Sequence, residues 1–265
     1  MMDPFFKIQA DGNFSIDVAG MKSKKWSLFI ATPLYNSADP LTDNAIAKTL
    51  RIFGECGINC RHRTHRNNSL VPLARCILNS EFMASGMSHC LWWDGDVIAK
   101  PDEPVRMMAA NMDILGGVYA RRFIFWDEIV KAAKDGRFDD LSTAGQRLTT
   151  SPKPFADVLP WAVEVDTLPG GFLMVKREVI LAMMAKYPER KSVLEGKNPG
   201  AEDEFFYEFW PCGGSPYRGE DTWFCELARG AGYKLYADTV AMLGHCGNHV
   251  FSSDPRKLIP QKGET

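Results

Sequence analysis

The sequence predicts an α/β fold in which helices flank a mixed, mostly parallel β-sheet. Short apolar runs typical of buried strands alternate with longer segments whose apolar residues recur at helical spacing. A strand that is joined to the next strand through a helix normally lies parallel to it. The chain has 265 residues, of which 45% are hydrophobic, so it is long enough to bury the core of one large domain.

The first five predicted elements alternate between strand and helix. The run WSLFIATP is apolar and ends at a proline, which is the pattern of a buried strand followed by a loop. Two later segments place apolar residues on one helical face, and the glycines after them supply stop signals. In chain order, we expect a strand over 26–33, a helix over 40–57, an exposed strand over 58–63, a helix over 69–85 with Ser69 as its cap, and a buried strand over 89–93.

The second half of the chain contains longer loops. DILGGVYA and GFLMV have the composition of buried strands. Two stretches, 122–160 and 195–216, are predicted to be loop insertions because they are rich in charge, proline and glycine. The remaining predicted elements are strands over 113–120 and 171–175, a helix that ends at Tyr187, a helix over 221–229, and late strands over 233–238 and 240–245.

These elements divide the chain into a leader over 1–25, one domain over 26–252 and a polar tail over 253–265. The 31 basic and 33 acidic residues nearly cancel, which argues against a general attraction to polyanions or anionic membranes. The sequence contains no apolar run of bilayer-spanning length and no export signal at its start. Seven scattered cysteines are typical of reduced thiols. We expect a cytoplasmic protein that needs neither a membrane nor an obligate protein partner.

Two aspartates directly follow the predicted strand HCLWW, in the sequence HCLWWDGDVIAK. Ligands of open α/β sheets bind beyond the carboxyl ends of the strands, which is where Asp94 and Asp96 are expected. The glycine between them permits a turn that directs both carboxylates to one point. Converging carboxylates suit Mg²⁺ or Mn²⁺, which can bridge the oxygens of a nucleoside diphosphate. The alternative is an ordinary Asp-Gly turn with solvated carboxylates.

Six segments resemble, in family order, the GT-A superfamily of nucleotide-sugar glycosyltransferases. LWWDGDV resembles the DxD element, and IATPLYN resembles the first strand and the loop that receive the nucleotide base and ribose. VPLARCILNSEFMAS resembles the helix in which an arginine faces the donor. LPGGFLMVKREV resembles the acceptor-side segment, GEDTWFCELARGAGYKLYAD the acidic motif with the catalytic base, and LGHCG the late strand whose histidine completes a metal site. The resemblance covers 26–247.

The resemblance implies a GT-A fold, which is Rossmann-like, in a single domain with loop insertions, and a soluble enzyme of the kind found in phages and viruses. It implies a Mn²⁺ or Mg²⁺ ion that Asp96 contacts directly, with Asp94 close to the ribose or to a metal-bound water. His245 is either a nitrogen ligand of that ion or a packed side chain. The implied donor-binding residues are Thr32, Pro33, Tyr35, Arg75, Asp94 and Asp96.

On the acceptor side, the resemblance implies that Asp221 is the general base, with Glu220 as its substitute. Asp221 is alternatively the N-cap of the helix that it opens. Gly170 and Gly171 either permit close approach of a sugar or form a tight start to a strand. The sequence lacks the QxxRW motif of processive synthases, which argues against a chain-elongating polysaccharide synthase.

Basic residues are concentrated in RHRTHR, over 61–66, and in YARR, which ends in Arg121 and Arg122. We assign Arg121 and Arg122 to the acceptor side, where arginines suit phosphate or a polyanion. A solvated strand edge and a salt bridge to acidic neighbours are the alternatives. The acceptor is either a glycan or a hydroxymethylated pyrimidine in DNA. The two basic clusters are the reason for considering DNA.

The expected reaction is metal-dependent transfer of one sugar from a nucleotide sugar, with UDP-sugar as the expected donor, to an acceptor hydroxyl. Two alternatives belong to other classes. A nucleotidyltransferase would use a similar acidic site, but the glycine-rich basic loop after the first strand is missing. A sugar-binding or nucleic-acid-binding module without catalysis would not need the acidic residues and the histidine together.

Overall fold

Strands and helices alternate along the chain, as the sequence predicts. The computed structural model describes residues 4–9, 13–150, 158–194, 200–247, 249–252, 254 and 256. The strands are β1 (Phe6–Ile8), β2 (Phe14–Ile16), β3 (Ser27–Pro33), β4 (Asn59–His65), β5 (His89–Trp93), β6 (Val97–Ile98), β7 (Ile114–Gly117), β8 (Val158–Leu159), β9 (Ala162–Val165), β10 (Phe172–Lys176), β11 (Leu235–Asp238), β12 (Gly244–Cys246) and β13 (Val250–Ser252). The α-helices are α1 (Val18–Ser23), α2 (Pro40–Glu55), α3 (Val71–Ser85), α4 (Glu103–Ala109), α5 (Trp126–Lys134), α6 (Leu141–Ala144), α7 (Arg177–Lys186) and α8 (Glu220–Gly230).

Eight strands form the central sheet in the order β4-β3-β5-β10-β7-β11-β9-β8. β4, β3 and β5 are parallel, β10 runs antiparallel between β5 and β7, and β11 is parallel to β7. β9 is antiparallel to both of its neighbours, so six of the eight strands point in one direction. The prediction of a mixed, mostly parallel sheet with flanking helices in one α/β domain is confirmed. The carboxyl ends of β3, β4, β5, β7 and β11 therefore lie along the same edge.

The double tryptophan of β5 packs against both faces of the central sheet. Successive strand side chains point to opposite sides, so Trp92 and Trp93 enter different parts of the core. Trp92 lies in the cluster that contains Phe82 of α3. Trp93 lies in the cluster that contains Phe53 of α2 and residues of α4. β5 is consequently buried on both faces and holds the residues after it in a fixed position.

The segment before the predicted domain boundary is packed onto the same core. β1 and β2 form an antiparallel hairpin, and α1 follows it. The Phe6 ring packs edge to face on Trp161 with centroids 5.3 Å apart, and the Met21 side chain is fully buried. The Phe5 N–H donates to the Ala109 carbonyl at 2.6 Å. Interpreting 1–25 as a polar leader is therefore wrong for these residues, because their apolar side chains complete one face of the core.

The predicted start of the second long helix is corrected by the structure. α3 begins at Val71, and its N-cap residue Leu70 makes no side-chain cap hydrogen bond. Ser69 is not the cap, because the turn before the helix is held instead by Asn68, whose Oδ1 accepts from the Leu70 N–H at 2.9 Å. At the other end, Gly86 adopts the left-handed conformation, with φ of 70°, that terminates a helix.

The predicted late strand over 240–245 is shorter than expected. The Asp238 Oδ1 accepts from the N–H groups of Val240 and Ala241, at 2.9 and 3.0 Å, and these bonds turn the chain out of the central sheet. Pairing resumes only in β12, which joins β6 and β13 in a separate three-stranded sheet. β12 thereby places His245 opposite Val97, just beyond the Asp94–Asp96 turn.

The predicted loop insertions contain short helices. The first includes α5 and α6, and the second includes a 3-10 helix, Ala201–Phe205. Residues 151–157 and 195–199 of these insertions, and all of the predicted tail except 254 and 256, lie outside the described residues. None of the helices in the described part of the chain combines the length and the apolar character that a membrane crossing requires.

Candidate active site

An open cleft of about 730 Å³ lies at the carboxyl edge of the central sheet. This edge is where open α/β sheets bind ligands, and the volume is in the range of small-molecule sites. Residues that follow β3, β5 and β12 form its walls together with side chains from α3 and α8. The lining residues are Pro33, Leu34, Tyr35, Asn36, Ser37, Ala38, Asp39, Pro40, Val71, Arg75, Asp94, Gly95, Asp96, Arg122, Glu220, Cys246 and Gly247.

Asp94 is bound by the protein itself. Its main-chain N–H donates to the Gly171 carbonyl at 2.9 Å. Arg75 Nη2 donates to both carboxylate oxygens, at 3.0 and 2.9 Å, while Nη1 donates to the Gly170 carbonyl at 3.1 Å. Hydrogen bonds between charged groups are about twice as strong as neutral ones, so these contacts fix the carboxylate in one orientation.

Arg75 lies at the back of the cleft, with only 2% of its side chain exposed. Its Cζ lies 5.6 Å from the ring centroid of Trp92 and 5.1 Å from that of Trp210, which stacks on Phe224 at 4.2 Å. Burial opposes the charge of Arg75, but the neighbouring carboxylates, Asp94 foremost, outweigh it and raise the pKa of the guanidinium. Arg75 is therefore a permanently charged side chain inside the protein, and we interpret it as the residue that positions Asp94.

Asp96 has a more open environment than Asp94. Its Oδ2 lies 3.0 Å from Arg122 Nη1 and 3.6 Å from His245 Nε2, and 36% of its side chain is exposed. Burial alone would raise the pKa of Asp96, but the hydrogen bond and charge of His245, with the charge of Arg122, lower it below its usual value. Asp96 is therefore an ionised carboxylate that a ligand in the cleft can reach.

The hydrogen bond of His245 identifies which ring nitrogen carries the proton. His245 Nδ1 lies 3.0 Å from the Ala120 carbonyl oxygen, and a carbonyl only accepts, so Nδ1 is the donor. In the neutral ring, Nε2 then presents a lone pair towards Asp96 Oδ2. In the charged ring, Nε2 carries a proton and pairs with Asp96 Oδ2 directly, whereas in the neutral ring a cation bound between these two atoms, 3.6 Å apart, would take the place of that proton. Metal-binding histidines commonly donate their second N–H to a carbonyl in this way.

Asp96 and His245 fit a divalent cation when a substrate supplies further ligands. Within the described ranges, no group of three or more His, Cys, Asp and Glu side chains converges on one point. Ions that bind nucleotides usually take one or two protein side chains and complete their coordination with phosphate oxygens and water. Both Asp94 oxygens are engaged by Arg75, so Asp96 and His245 are the side chains that remain suitable.

The first turn of α8 contains two further carboxylates, of which Asp221 is not among the residues that line the cleft. The helix begins at Glu220, and its N-cap residue is Gly219, so Asp221 is not the N-cap. Asp221 Oδ1 instead accepts from the Thr222 N–H at 2.7 Å. Burial, and then the charge of Glu220, raise the pKa of Asp221. Glu220 lines the cleft, and its Oε1 lies 3.7 Å from Arg75 Nε.

Tyr119 is a site residue that the sequence patterns did not single out. Its ring packs edge to face on His245, with centroids 4.8 Å apart. Burial, and then the charge of Asp94, raise the pKa of Tyr119 well above its usual value, so its hydroxyl keeps its proton. Tyr119 follows the end of β7 as Asp94 follows the end of β5. This position after a strand is the sequence feature that could have identified Tyr119 as a site residue.

The glycines of the site allow close packing. A Cβ on Gly171 would collide with the Tyr119 hydroxyl and lie 3.0 Å from Asp94 Oδ2, and one on Gly170 would lie 3.1 Å from Arg75 Cζ. Gly95 does not have a positive φ, so the expected special conformation is absent there. A Cβ on Gly95 would instead lie 3.1 Å from the Ala38 Cα, in the loop after β3.

The predicted donor-binding residues of the first strand divide into two groups. Pro33 and Tyr35 line the cleft, and the Tyr35 side chain is 63% exposed. Thr32 does not line it, because its side chain is buried and shares a hydrogen bond with His62 Nε2 at 2.9 Å. Arg121 is exposed outside the cleft wall, whereas Arg122 faces Asp96 within it.

The chain was compared with known proteins in three ways. No protein-family model matches the sequence, and no curated protein matches it. Among solved structures, the chain is similar to one described as the crystal structure of a glycosyltransferase involved in the glycosylation of the major capsid of PBCV-1. The two are 8% identical, with a TM-score of 0.31, over 80% of this chain and 93% of that chain.

Proposed function

We propose that this protein is a divalent-cation-dependent glycosyltransferase that transfers one sugar from a nucleotide sugar to an acceptor hydroxyl. The observation that carries the proposal is the convergence of Asp96 Oδ2 and His245 Nε2, 3.6 Å apart, in a cleft at the carboxyl edge of the sheet. The motifs that resemble the GT-A superfamily support it, because the resemblance implies a metal-binding role for the same two residues. A UDP-sugar is the proposed donor.

The proposed donor lies along the cleft wall. The exposed ring of Tyr35 and the apolar side chain of Val71 suit the flat face of a nucleobase. The diphosphate lies next to Asp96 and His245, where Mn²⁺ or Mg²⁺ would neutralise the charge that develops on the leaving group. Arg75 keeps Asp94 fixed, so the turn between Asp94 and Asp96 is positioned before the donor arrives.

Proton removal from the acceptor hydroxyl is assigned to the first turn of α8. Asp221 is the proposed general base, since a carboxylate with a raised pKa takes a proton more readily near neutral pH. The acceptor oxygen bonds to the anomeric carbon as the bond from that carbon to the diphosphate breaks, and its proton passes to Asp221. Glu220 is the alternative base, but it faces the buried Arg75. A base on the acceptor side favours inversion of the anomeric centre.

The acceptor is proposed from the charge near the cleft. β4 is an edge strand, and Arg61 and Arg63 are exposed on it. Its carboxyl end contacts the loop after β3, because the Leu34 N–H donates to the His65 carbonyl at 2.8 Å. A polyanionic acceptor such as DNA with hydroxymethylated pyrimidines suits this strand. Affinity for duplex DNA that falls steeply with salt supports that acceptor, and affinity that is absent or insensitive to salt favours a glycan.

The first test is thermal unfolding with a panel of nucleotide sugars, each with and without Mn²⁺. A ligand that binds the native state at a hundred times its Kd stabilises it by about 2.7 kcal/mol. We expect a shift that needs Mn²⁺, that occurs with one nucleotide, and that Asp96→Ala abolishes. Asp102→Ala, which removes an exposed carboxylate outside the cleft wall, is the matched control and should keep the shift. If no donor raises the unfolding temperature, the proposal is wrong and a non-catalytic binding module is favoured.

The second test is turnover and its dependence on pH. Asp221→Asn should lower turnover by about 10²–10⁴-fold, while Glu220→Gln lowers it less. Because the pKa of Asp221 is raised, wild-type turnover should rise with pH through that pKa, and the rise should be absent in Asp221→Asn. The folded state gains stability from this carboxyl at low pH and loses it as pH rises through the folded pKa.

Release of nucleoside diphosphate supports glycosyl transfer, whereas release of pyrophosphate identifies a nucleotidyltransferase.

A further inference from the structure

We propose that Arg122 competes with the cation for Asp96 and moves to the donor diphosphate when the cation binds. This inference rests on the proposed function and adds a role for a residue that the sequence assigns to the acceptor. It makes cation and nucleoside diphosphate bind cooperatively, with Arg122 as the group that couples them. The cooperativity, rather than the presence of a cation site, is the claim.

Arg122 and His245 approach the same carboxylate oxygen of Asp96. Arg122 Nη1 lies 3.0 Å from Asp96 Oδ2, and His245 Nε2 lies 3.6 Å from it. A cation bound by Asp96 and His245 would have to approach this oxygen as well. Two positive groups at one carboxylate oxygen repel each other, so a cation at this point displaces the guanidinium.

The contacts of Arg122 allow its guanidinium to move away from Asp96. Its side chain is 51% exposed, and its other hydrogen bond within the described part of the chain is a 3.3 Å contact from Nη1 to the Cys246 carbonyl. Exposed ion pairs are weak, so a divalent ion replaces this one at little cost. Arg75 provides the contrast, because it is buried and makes three short hydrogen bonds.

The displaced guanidinium of Arg122 remains next to the cleft. Arg122 is part of the cleft wall that contains Asp96 and Gly247, and a Cβ on Gly247 would lie 3.3 Å from Arg122 Cδ. Phosphate oxygens next to Asp96 would be within reach of a side chain that already contacts this carboxylate. The guanidinium stays charged, and its planar fork of donors matches phosphate. A diphosphate thus removes the repulsion between Arg122 and the ion by lying between them.

The test measures binding of Mn²⁺ alone, UDP alone and each in the presence of the other, by electron paramagnetic resonance and calorimetry. Arg122→Gln should bind Mn²⁺ alone about two- to fivefold more tightly, because a weak competing ion pair is gone. The same variant should bind UDP with Mn²⁺ about tenfold more weakly, because a charged hydrogen bond to phosphate is lost. The coupling factor between the two ligands should therefore fall by about tenfold or more.

Two further variants control for charge and folding. Arg51→Gln removes an exposed arginine on α2 that pairs only weakly with Glu55, at 3.6 Å, and should leave all four affinities unchanged. Arg122→Lys keeps the charge without the fork, so it should bind Mn²⁺ alone as the wild type does and retain only part of the coupling. This variant keeps the test decisive if Arg122→Gln does not fold.

Unchanged or weaker binding of Mn²⁺ alone by Arg122→Gln, with unchanged coupling, would overturn the inference. That result leaves the proposed function intact, since the wild type would still bind UDP with Mn²⁺. Wild-type protein that binds neither UDP nor any other nucleoside diphosphate of the panel in the presence of Mn²⁺ overturns the proposed function and this inference together, and the two outcomes are therefore distinct.

Discussion

Asp94 and Asp96 lie two residues apart and each faces an arginine, but the two ion pairs differ in burial. The Arg75 side chain is 2% exposed and is enclosed by Trp92 and Trp210. The Arg122 side chain is 51% exposed and borders the cleft. The comparison separates a pair that holds the site together from a pair that a ligand can exchange.

The pKa directions of the two carboxylates agree with this division. Burial raises the pKa of Asp94, and its bonds to Arg75 offset this only in part. The pKa of Asp96 is lowered, because His245 and Arg122 outweigh the effect of burial. A carboxylate with a lowered pKa and free access suits cation binding, whereas a half-buried one that is bound by a buried arginine suits positioning.

The largest expected effect comes from breaking the buried pair. Arg75→Met keeps the side-chain volume but leaves Asp94 and Glu220 without their cation. We expect the free energy of unfolding to fall by about 3 kcal/mol or more. Arg122→Met, the matched change at the exposed pair, should cost at most about 1 kcal/mol. Urea denaturation followed by tryptophan fluorescence measures both variants.

A second variant separates charge from packing at Arg75. The double variant Arg75→Met with Asp94→Asn removes both charges, so it should recover part of the lost stability. Equal losses from Arg75→Met and Arg122→Met would contradict the division between the two pairs.

An intermediate effect is expected from crowding the buried pair. Gly171→Ala places a Cβ against the Tyr119 hydroxyl and 3.0 Å from Asp94 Oδ2. Overpacking of this kind costs about 1–3 kcal/mol, which thermal denaturation resolves. Gly54→Ala is the control, because a Cβ there meets nothing within 4 Å and alanine favours the helix, so stability should hold or rise. A Gly171→Ala protein as stable as the wild type would show that the site tolerates movement of Asp94.

The smallest effect on stability is expected at the exposed pair. Asp96→Asn keeps the shape of the side chain and removes its charge. The free energy of unfolding of the unliganded variant should therefore stay within about 1 kcal/mol of the wild-type value. The same change should remove stabilisation by Mn²⁺ with UDP. A loss of more than about 2 kcal/mol without ligand would instead place Asp96 among the structural residues.

Much of the sheet and part of the site are predictable from sequence because they depend on local patterns. The apolar run of β5 and the two aspartates after it place carboxylates at the carboxyl edge without knowledge of distant contacts. The same reasoning identifies Glu220 and Asp221 as the start of a helix. Strand periodicity also explains why two adjacent tryptophans occur in β5, since each faces one side of the core.

The contacts that distinguish the two ion pairs are not predictable in this way. Trp210 packs against Arg75, although it lies in a loop-rich stretch 135 residues after Arg75 in the sequence. No periodic pattern relates the two residues. The sequence places Arg122 after β7 and so on the active side of the sheet. It does not predict which carboxylate the guanidinium faces, and the structure shows that this is Asp96. Tyrosine is common in strands, so the sequence does not mark Tyr119 as a site residue. Its contact with the His245 ring depends on the fold.

We propose that Asp96 and His245 hold a cation together with the donor diphosphate. Electron spin echo envelope modulation of Mn²⁺ bound with UDP is the decisive measurement, because the method detects a nitrogen nucleus coordinated to the ion. We expect nitrogen modulation in the wild type that His245→Gln removes, while Asp102→Ala retains it. Bound Mn²⁺ with UDP but without nitrogen modulation in the wild type would show that His245 is not a ligand of the cation.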